Sequence, residues 1–101
     1  MTASFVVNGK STPLDKIVRI LDYMSEKEVT GELELDNFML EQCGYRNYNF
    51  RIDIRDKLRE NGWLGYKAGE YYIRFKGRRA TQGFAHILPD SARPERYRNC
   101  N

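Results

Sequence analysis

The sequence is poor in the residue types that staple small secreted domains or build metal sites. It has two cysteines, Cys43 and Cys100, and a single histidine, His86. Two cysteines without CxxC spacing exclude a disulfide scaffold and the usual zinc or thiol-redox motifs, so we expect free thiols. A lone histidine with no cysteine or serine placed beside it gives no recognisable nucleophile and base. We therefore predict that the protein is not an enzyme and carries no metal or other cofactor.

Long apolar runs are also missing. No stretch approaches the roughly 20 apolar residues that a membrane-spanning helix requires. The N-terminus lacks the basic region and apolar core of a signal peptide, and neither GxxxxGK[ST] nor GxGxxG occurs. These absences predict a cytoplasmic protein without a membrane association or a phosphate-binding glycine loop.

What is present suits one folded domain with an uneven charge. The chain has 101 residues, of which 41% are hydrophobic and 31% charged, enough apolar surface for a single core. Up to Gly44 there are four basic and eight acidic side chains, a net charge of −4. From Tyr45 onward there are thirteen basic and six acidic side chains, a net charge of +7. The second half is therefore the part that attracts polyanions.

The N-terminal residues predict a short strand, a turn and a strongly amphipathic first helix. Phe5-Val6-Val7 is a brief apolar run that Asn8-Gly9 closes. Thr12 can cap the helix, Pro13 suits its first position, and Asp15 is placed for a capping box. Apolar residues then recur at helical spacing: Leu14, Ile17, Val18, Leu21 and Met24.

The second helix is less clearly signalled. After Gly31, the alternating residues 32 to 35 fit either a short strand or the entry to a helix capped by Asp36. A helix over about residues 37 to 43 would bury Phe38 and Met39 or Leu40, and Gly44 would end it.

Residues 49 to 61 present the main ambiguity. Apolar residues alternate at Phe50, Ile52 and Ile54, as in a strand, but they also recur every fourth residue at Phe50, Ile54 and Leu58. We predict a third helix because the residues after Ile54 are mostly good helix formers.

A hairpin and a fourth helix follow. The turn at residues 67 to 70 separates two strands, and alternation predicts that Tyr71, Ile73 and Phe75 face the core. A fourth helix from Gly77 to Leu88 would bury a single stripe: Ala80, Phe84, Ile87 and Leu88. The arginine-rich residues 89 to 101 are predicted to be a basic tail without strong structure.

Two segments resemble the winged helix-turn-helix superfamily. LRENGWL at residues 58–64 resembles the end of the third helix and the start of the wing, and YIRFKGR at residues 72–78 resembles the segment that closes the wing. Arg74 stands where that pattern carries a helix-capping threonine, which leaves the start of the fourth helix open. The resemblance, over roughly residues 12 to 80, implies an α+β fold: a three-helix core with a β-hairpin wing, a fourth helix and a basic tail after residue 88. It also implies a third helix in the DNA major groove and a wing on phosphates.

Helical spacing predicts one candidate site on the third helix. Turning the apolar residues inward places Arg51, Arg55 and Arg59 along one flank, where guanidinium groups could hold phosphates or guanine edges. The acidic residues of this helix fall on the other flank: Asp53, Asp56 and Glu60. The structural alternative is an ordinary solvated surface laced with salt bridges.

A second candidate site surrounds the hairpin. Its basic residues are Lys67, Arg74, Lys76, Arg78 and Arg79, and they would neutralise phosphates. The alternative is that exposed strands carry basic residues to prevent edge-to-edge aggregation. Arg46 and Tyr48, just before the third helix, are further candidate contacts.

From these features we predict a DNA-binding protein, either a transcriptional regulator or an accessory protein of a mobile element, with double-stranded DNA as its partner. We also expect a homodimer through Phe84 and Leu88. The alternative hypothesis is a winged-helix adaptor or inhibitor that binds a protein and no nucleic acid.

Overall fold

The computed structural model describes residues 3–98. Its elements are β1 (Ser4–Val7), β2 (Lys10–Pro13), α1 (Leu14–Lys27), β3 (Val29–Gly31), α2 (Glu32–Glu41), α3 (Tyr48–Glu60), β4 (Leu64–Lys67), β5 (Glu70–Ile73), α4 (Phe75–Ile87) and two 3-10 turns, Asp90–Ala92 and Glu95–Tyr97. The predicted α+β class is confirmed. Within the described residues, no helix has both the length and the apolar character needed to cross a membrane.

Two small antiparallel sheets accompany the helices. One is the β1-β2 hairpin, and the other has the strand order β3-β5-β4. In the second sheet Tyr71 lies opposite Thr30 on one side and Tyr66 on the other. The β4-β5 turn has positive φ at both Ala68 (53°) and Gly69 (82°), as a tight two-residue hairpin requires. The predicted hairpin is confirmed, whereas β2 and β3 were not predicted.

Helix α1 has the predicted core face but not the predicted cap. All five apolar residues expected to be inside are buried, and Ile20 joins them. Thr12 does not cap the helix, because it belongs to β2 and its Oγ1 lies 2.6 Å from the hydroxyl of Tyr45. Pro13 occupies the cap position without a side-chain hydrogen bond. The Thr12 hydroxyl therefore makes a buried hydrogen bond with Tyr45 instead of capping α1.

Helix α2 begins earlier than expected. Residues 32 to 35 belong to it, so the strand alternative is wrong, and Asp36 lies inside the helix instead of capping it. Leu35 and Met39, four residues apart, are fully buried and fix its inner face. After the helix the chain turns at Gly44, whose φ is +76°.

Helix α3 confirms the helical interpretation of the ambiguous segment. Asn47 caps it, since its Oδ1 accepts a hydrogen bond from the Phe50 amide at 2.9 Å. Ile54 and Leu58 are completely buried, and Gly62 follows in the left-handed conformation with φ +76°.

Helix α4 packs along α1 and begins two residues before the predicted start. Because the helix starts at Phe75, this side chain leaves the strand alternation and is 76% exposed, so its predicted burial is wrong. Ile87 is exposed as well. Leu88 is 2% exposed, and the Phe84 ring packs against Trp63 at 5.3 Å between centroids. Leu88 therefore belongs to the core and Phe84 packs partly against it, and the homodimer through these two residues stays a prediction.

The residues after α4 are more ordered than predicted. Ala92 and Tyr97 pack against the core cluster shared by α1 and α4. Arg96 lies 2.9 Å from Asp22 and 3.6 Å from Glu26, both on α1. This stretch is therefore a strap along α1, which corrects the prediction of a tail without structure. Residues 99–101, including Cys100, lie outside the described part of the chain.

Candidate nucleic-acid and partner-binding surfaces

The first two arginines of the predicted α3 flank are buried, which contradicts the expectation that they face DNA. Arg51 is 7% exposed, and its Nε donates to Oδ1 of Asp36 at 2.8 Å. Its Nη1 donates to the backbone oxygens of Tyr45 and Arg46 at 3.0 and 3.1 Å. The hydrogen bond to Asp36 raises the pKa of the guanidinium further. Arg51 joins α3 to α2 and is not available to a phosphate.

Arg55, one turn later, is 3% exposed but is not held in the same way. Its Nη1 lies 3.7 Å from Oε1 of Glu32, beyond hydrogen-bond distance. Its Nε is buried and has no hydrogen-bond partner among residues 3–98. The guanidinium carbon also lies 5.7 Å from the Tyr71 ring centroid. Arg55 is thus buried, but its Nε donor makes no hydrogen bond to residues 3–98.

The solvent-facing side of α3 is unsuited to reading a groove. Arg59 is exposed, but its guanidinium lies over the Tyr66 ring at 5.0 Å. Asp56 and Glu60 are exposed and Asp53 is half-buried. Acidic side chains at these positions would repel the phosphate backbone.

The hairpin cluster is placed better for a polyanion. Arg74, Lys76 and Arg79 are exposed and form no ion pair within the described part of the chain. We call these three residues the basic segment. Arg78 lies between them in sequence but differs, because its Nη1 donates to the Ser25 backbone oxygen at 3.1 Å and its Nη2 lies 3.5 Å from Glu28. The structure therefore leaves three of these four cations available.

The surroundings of the basic segment are also favourable. The sequence has no acidic residue between Glu70 and Asp90. The exposed Phe75 ring lies 5.9 Å from the Arg79 guanidinium carbon, so an aromatic face and a cation are adjacent. Lys67 is exposed at the hairpin tip, with Glu70 opposite it.

The remaining predicted contacts lie at the start of α3. Arg46 and Tyr48 are both exposed, and the Tyr48 ring covers the Arg51 guanidinium at 5.3 Å. Tyr48 begins α3, whereas the basic segment lies at the start of α4, so the predicted contacts come from two separate elements.

A pocket between α2 and α3 was not predicted. Its volume is about 270 Å³, and its lining residues are Glu32, Leu33, Asp36, Tyr48 and Arg55. Leu33 and Tyr48 form its apolar part and are largely exposed. Only the folded pairing of α2 with α3 brings these residues together, so spacing in the sequence could not have found them.

The cysteine that the structure describes is not a reactive site. Cys43 is buried as a free thiol. Burial raises its pKa to about 11, so the nucleophilic thiolate is scarce at neutral pH. Burial likewise raises the pKa of the neighbouring Tyr45 to about 12.

Comparison of the chain with protein-family models, curated proteins and solved structures gives no match.

Proposed function

We propose that this domain has a winged-helix fold. Its elements from α1 to β5 follow the order helix, strand, helix, helix and hairpin, and the sheet order is β3-β5-β4. The α2-α3 pair corresponds to the helix-turn-helix and the β4-β5 hairpin to a very short wing. The resemblance of residues 58–64 and 72–78 to that superfamily supports the same assignment.

We further propose that the domain binds duplex DNA through phosphates, using the basic segment and Lys67. The observation that carries this proposal is that Arg74, Lys76 and Arg79 are exposed, without ion pairs within residues 3–98, in a stretch that lacks acidic residues. Exposed cations of this kind release counterions when they meet a phosphate backbone. The proposal differs from the sequence-based expectation because α3 supplies no base-reading arginines.

Fluorescence anisotropy with a labelled mixed-sequence duplex tests this function. If about four phosphates are neutralised, affinity should fall about a hundredfold between about 50 and 200 mM salt. The double variant Arg74→Ala/Lys76→Ala should bind at least about tenfold more weakly at low salt. Lys10→Ala/Lys16→Ala removes the same charge from β2 and α1 and should bind like the wild type. The absence of an anisotropy change at low salt would rule the proposal out.

Binding to a protein is the second candidate, and the α2-α3 face favours it. Leu33 is 72% exposed and Tyr48 57% exposed. Two exposed acidic residues of α2, Glu32 and Glu34, accompany Leu33. Such a surface combines aromatic and aliphatic contacts with a charge that repels DNA. A partner that binds equally well to the wild type and to Arg74→Ala/Lys76→Ala, but not to Leu33→Ser, would support this function.

A further inference from the structure

The pocket between α2 and α3 has an apolar rim and a charged floor. Leu33 and Tyr48 supply the apolar side chains, and Arg55 contributes a side chain that is 4% exposed. A volume of about 270 Å³ can admit a group of several heavy atoms. The pocket therefore offers one concave site where an apolar group and a polar group could be held together.

The two buried arginines of α3 differ in one decisive respect. Arg51 donates three hydrogen bonds, whereas the Nε of Arg55 has none within the described residues. A buried guanidinium without acceptors is costly, and nearly all such groups in proteins are paired. The Nε of Arg55 is thus a donor in the pocket lining that lacks an acceptor among residues 3–98.

The carboxylates in the lining are already engaged elsewhere. Asp36 accepts from Arg51 at 2.8 Å. Glu32 accepts from the Tyr66 hydroxyl at 3.1 Å and stays 3.7 Å from Arg55. Because half of the Glu32 side chain is exposed, it can move aside when another anion approaches the guanidinium.

We propose that this pocket binds a carboxylate carried on an apolar group. The carboxylate accepts hydrogen bonds from Arg55, whose planar fork matches its geometry, and the apolar group packs on Leu33 and Tyr48. Glu32 competes with the ligand for the same guanidinium. The pocket lies apart from the basic segment in the chain, and the inference holds whether or not the domain binds DNA.

Two sources could supply this chemistry, a small carboxylic acid or an acidic side chain of a partner protein, and NMR titration separates them. The first probe is 4-methylpentanoate, with 4-methylpentanamide as its uncharged counterpart. The second is the capped peptide Ac-Ala-Leu-Glu-Ala-NH2, with Gln in place of Glu as its counterpart. Amide shifts at residues 32–36 and 48–55 report binding.

In each pair the acid should bind about tenfold or more tightly than the amide, because a hydrogen bond to a charged group is at stake. Binding of the small acid alone identifies a metabolite-sized ligand. Binding of the peptide alone identifies a protein segment. A pocket that binds neither, or that binds acid and amide equally, overturns the proposal.

Three variants at exposed positions sharpen the test without depending on the buried Arg55. Glu32→Gln removes the competing anion and should tighten acid binding about two- to fivefold. Leu33→Ser should weaken it, whereas Leu40→Ser, on the same helix but outside the pocket lining, should not. Weaker acid binding by Glu32→Gln would contradict the assignment of Arg55 as the anion receptor. Each of these outcomes is independent of duplex binding, which is measured separately.

Discussion

The Nε of Arg51 and the Oδ1 of Asp36 lie 2.8 Å apart between α3 and α2. Both side chains are about nine-tenths buried, so this is an internal ion pair that fixes how the two helices meet. Four residues further along α3, Arg55 faces Glu32 at 3.7 Å without a hydrogen bond. Arg51 thus links α3 to α2. Arg55, which lines the pocket, has an Nε donor without a hydrogen-bond partner among residues 3–98.

Breaking the Arg51–Asp36 pair should destabilise the domain strongly. Asp36→Ala leaves a buried guanidinium without its anion and should cost about 3 to 5 kcal/mol in the free energy of unfolding, measured by urea denaturation. The double variant Asp36→Leu/Arg51→Met removes both charges and should recover most of that loss. A cost for Asp36→Ala no greater than that of the exposed Arg46→Ala would show that the pair is not a structural link.

Replacing two glycines of α4 by alanine should change the stability of the domain in opposite directions. A Cβ at Gly77 would clash with the Trp63 backbone oxygen and lie 2.8 Å from Cδ1 of Ile73, so Gly77→Ala should cost about 1 to 3 kcal/mol in the free energy of unfolding. A Cβ at Gly83 meets nothing within 4 Å, so Gly83→Ala should stabilise the helix by about 0.5 to 1 kcal/mol. Thermal unfolding of the two variants measures both effects, and a loss at Gly83 equal to that at Gly77 would contradict the packing of α4 on Trp63.

Alkaline pH should unfold the domain partly through Cys43. Burial raises the pKa of its thiol from 9.0 to about 11. Below pH 9 the thiol is protonated in both the folded and the unfolded chain, so the stability is at its full value there. Between pH 9 and 11 the unfolded chain loses this proton first, and about 2 to 3 kcal/mol of stability disappears. Cys43→Ala should show a flatter decline of unfolding free energy over this range. Parallel pH profiles for the variant and the wild type would exclude this role.

Packing, more than charge, should hold the C-terminal strap on α1. Arg96 is partly exposed, so its ion pairs with Asp22 and Glu26 are solvent-screened, and Arg96→Ala should cost no more than about 1 kcal/mol. Tyr97 packs on the cluster that contains Leu88, and Tyr97→Ala should cost more because apolar area is lost. Urea denaturation of both variants compares the stability lost with the ion pairs to the stability lost with the Tyr97 packing. A larger loss of stability for Arg96→Ala than for Tyr97→Ala would show that ion pairs, more than packing, hold the strap on α1.

Strong local patterns were sufficient to predict much of the fold. The helical spacing of apolar residues correctly predicted α1. The good helix formers after Ile54 correctly predicted a helix instead of a strand for α3. The short β3 and the cap of α1 could not be predicted in this way. They depend on partners distant in the sequence: Thr30 pairs with Tyr71 in the sheet, and Thr12 contacts Tyr45.

The candidate site was harder to predict because exposure is a property of the tertiary structure. Helical spacing correctly placed Arg51 and Arg55 on one flank of α3, but it could not show that α2 brings Asp36 and Glu32 over that flank. Likewise, the alternation that predicted an inward Phe75 failed because α4 begins at that residue. Lys67, Arg74, Lys76 and Arg79 stayed exposed, and these residues are the ones that the proposed function uses.

The salt dependence of duplex binding tests the central claim most directly. A plot of the logarithm of the association constant against the logarithm of salt concentration should have a slope of about −3.6 for four phosphate contacts. Arg74→Ala/Lys76→Ala should make that slope shallower by about 1.8, and Lys10→Ala/Lys16→Ala should leave it unchanged. A slope that is the same in all three proteins would contradict binding through the basic segment.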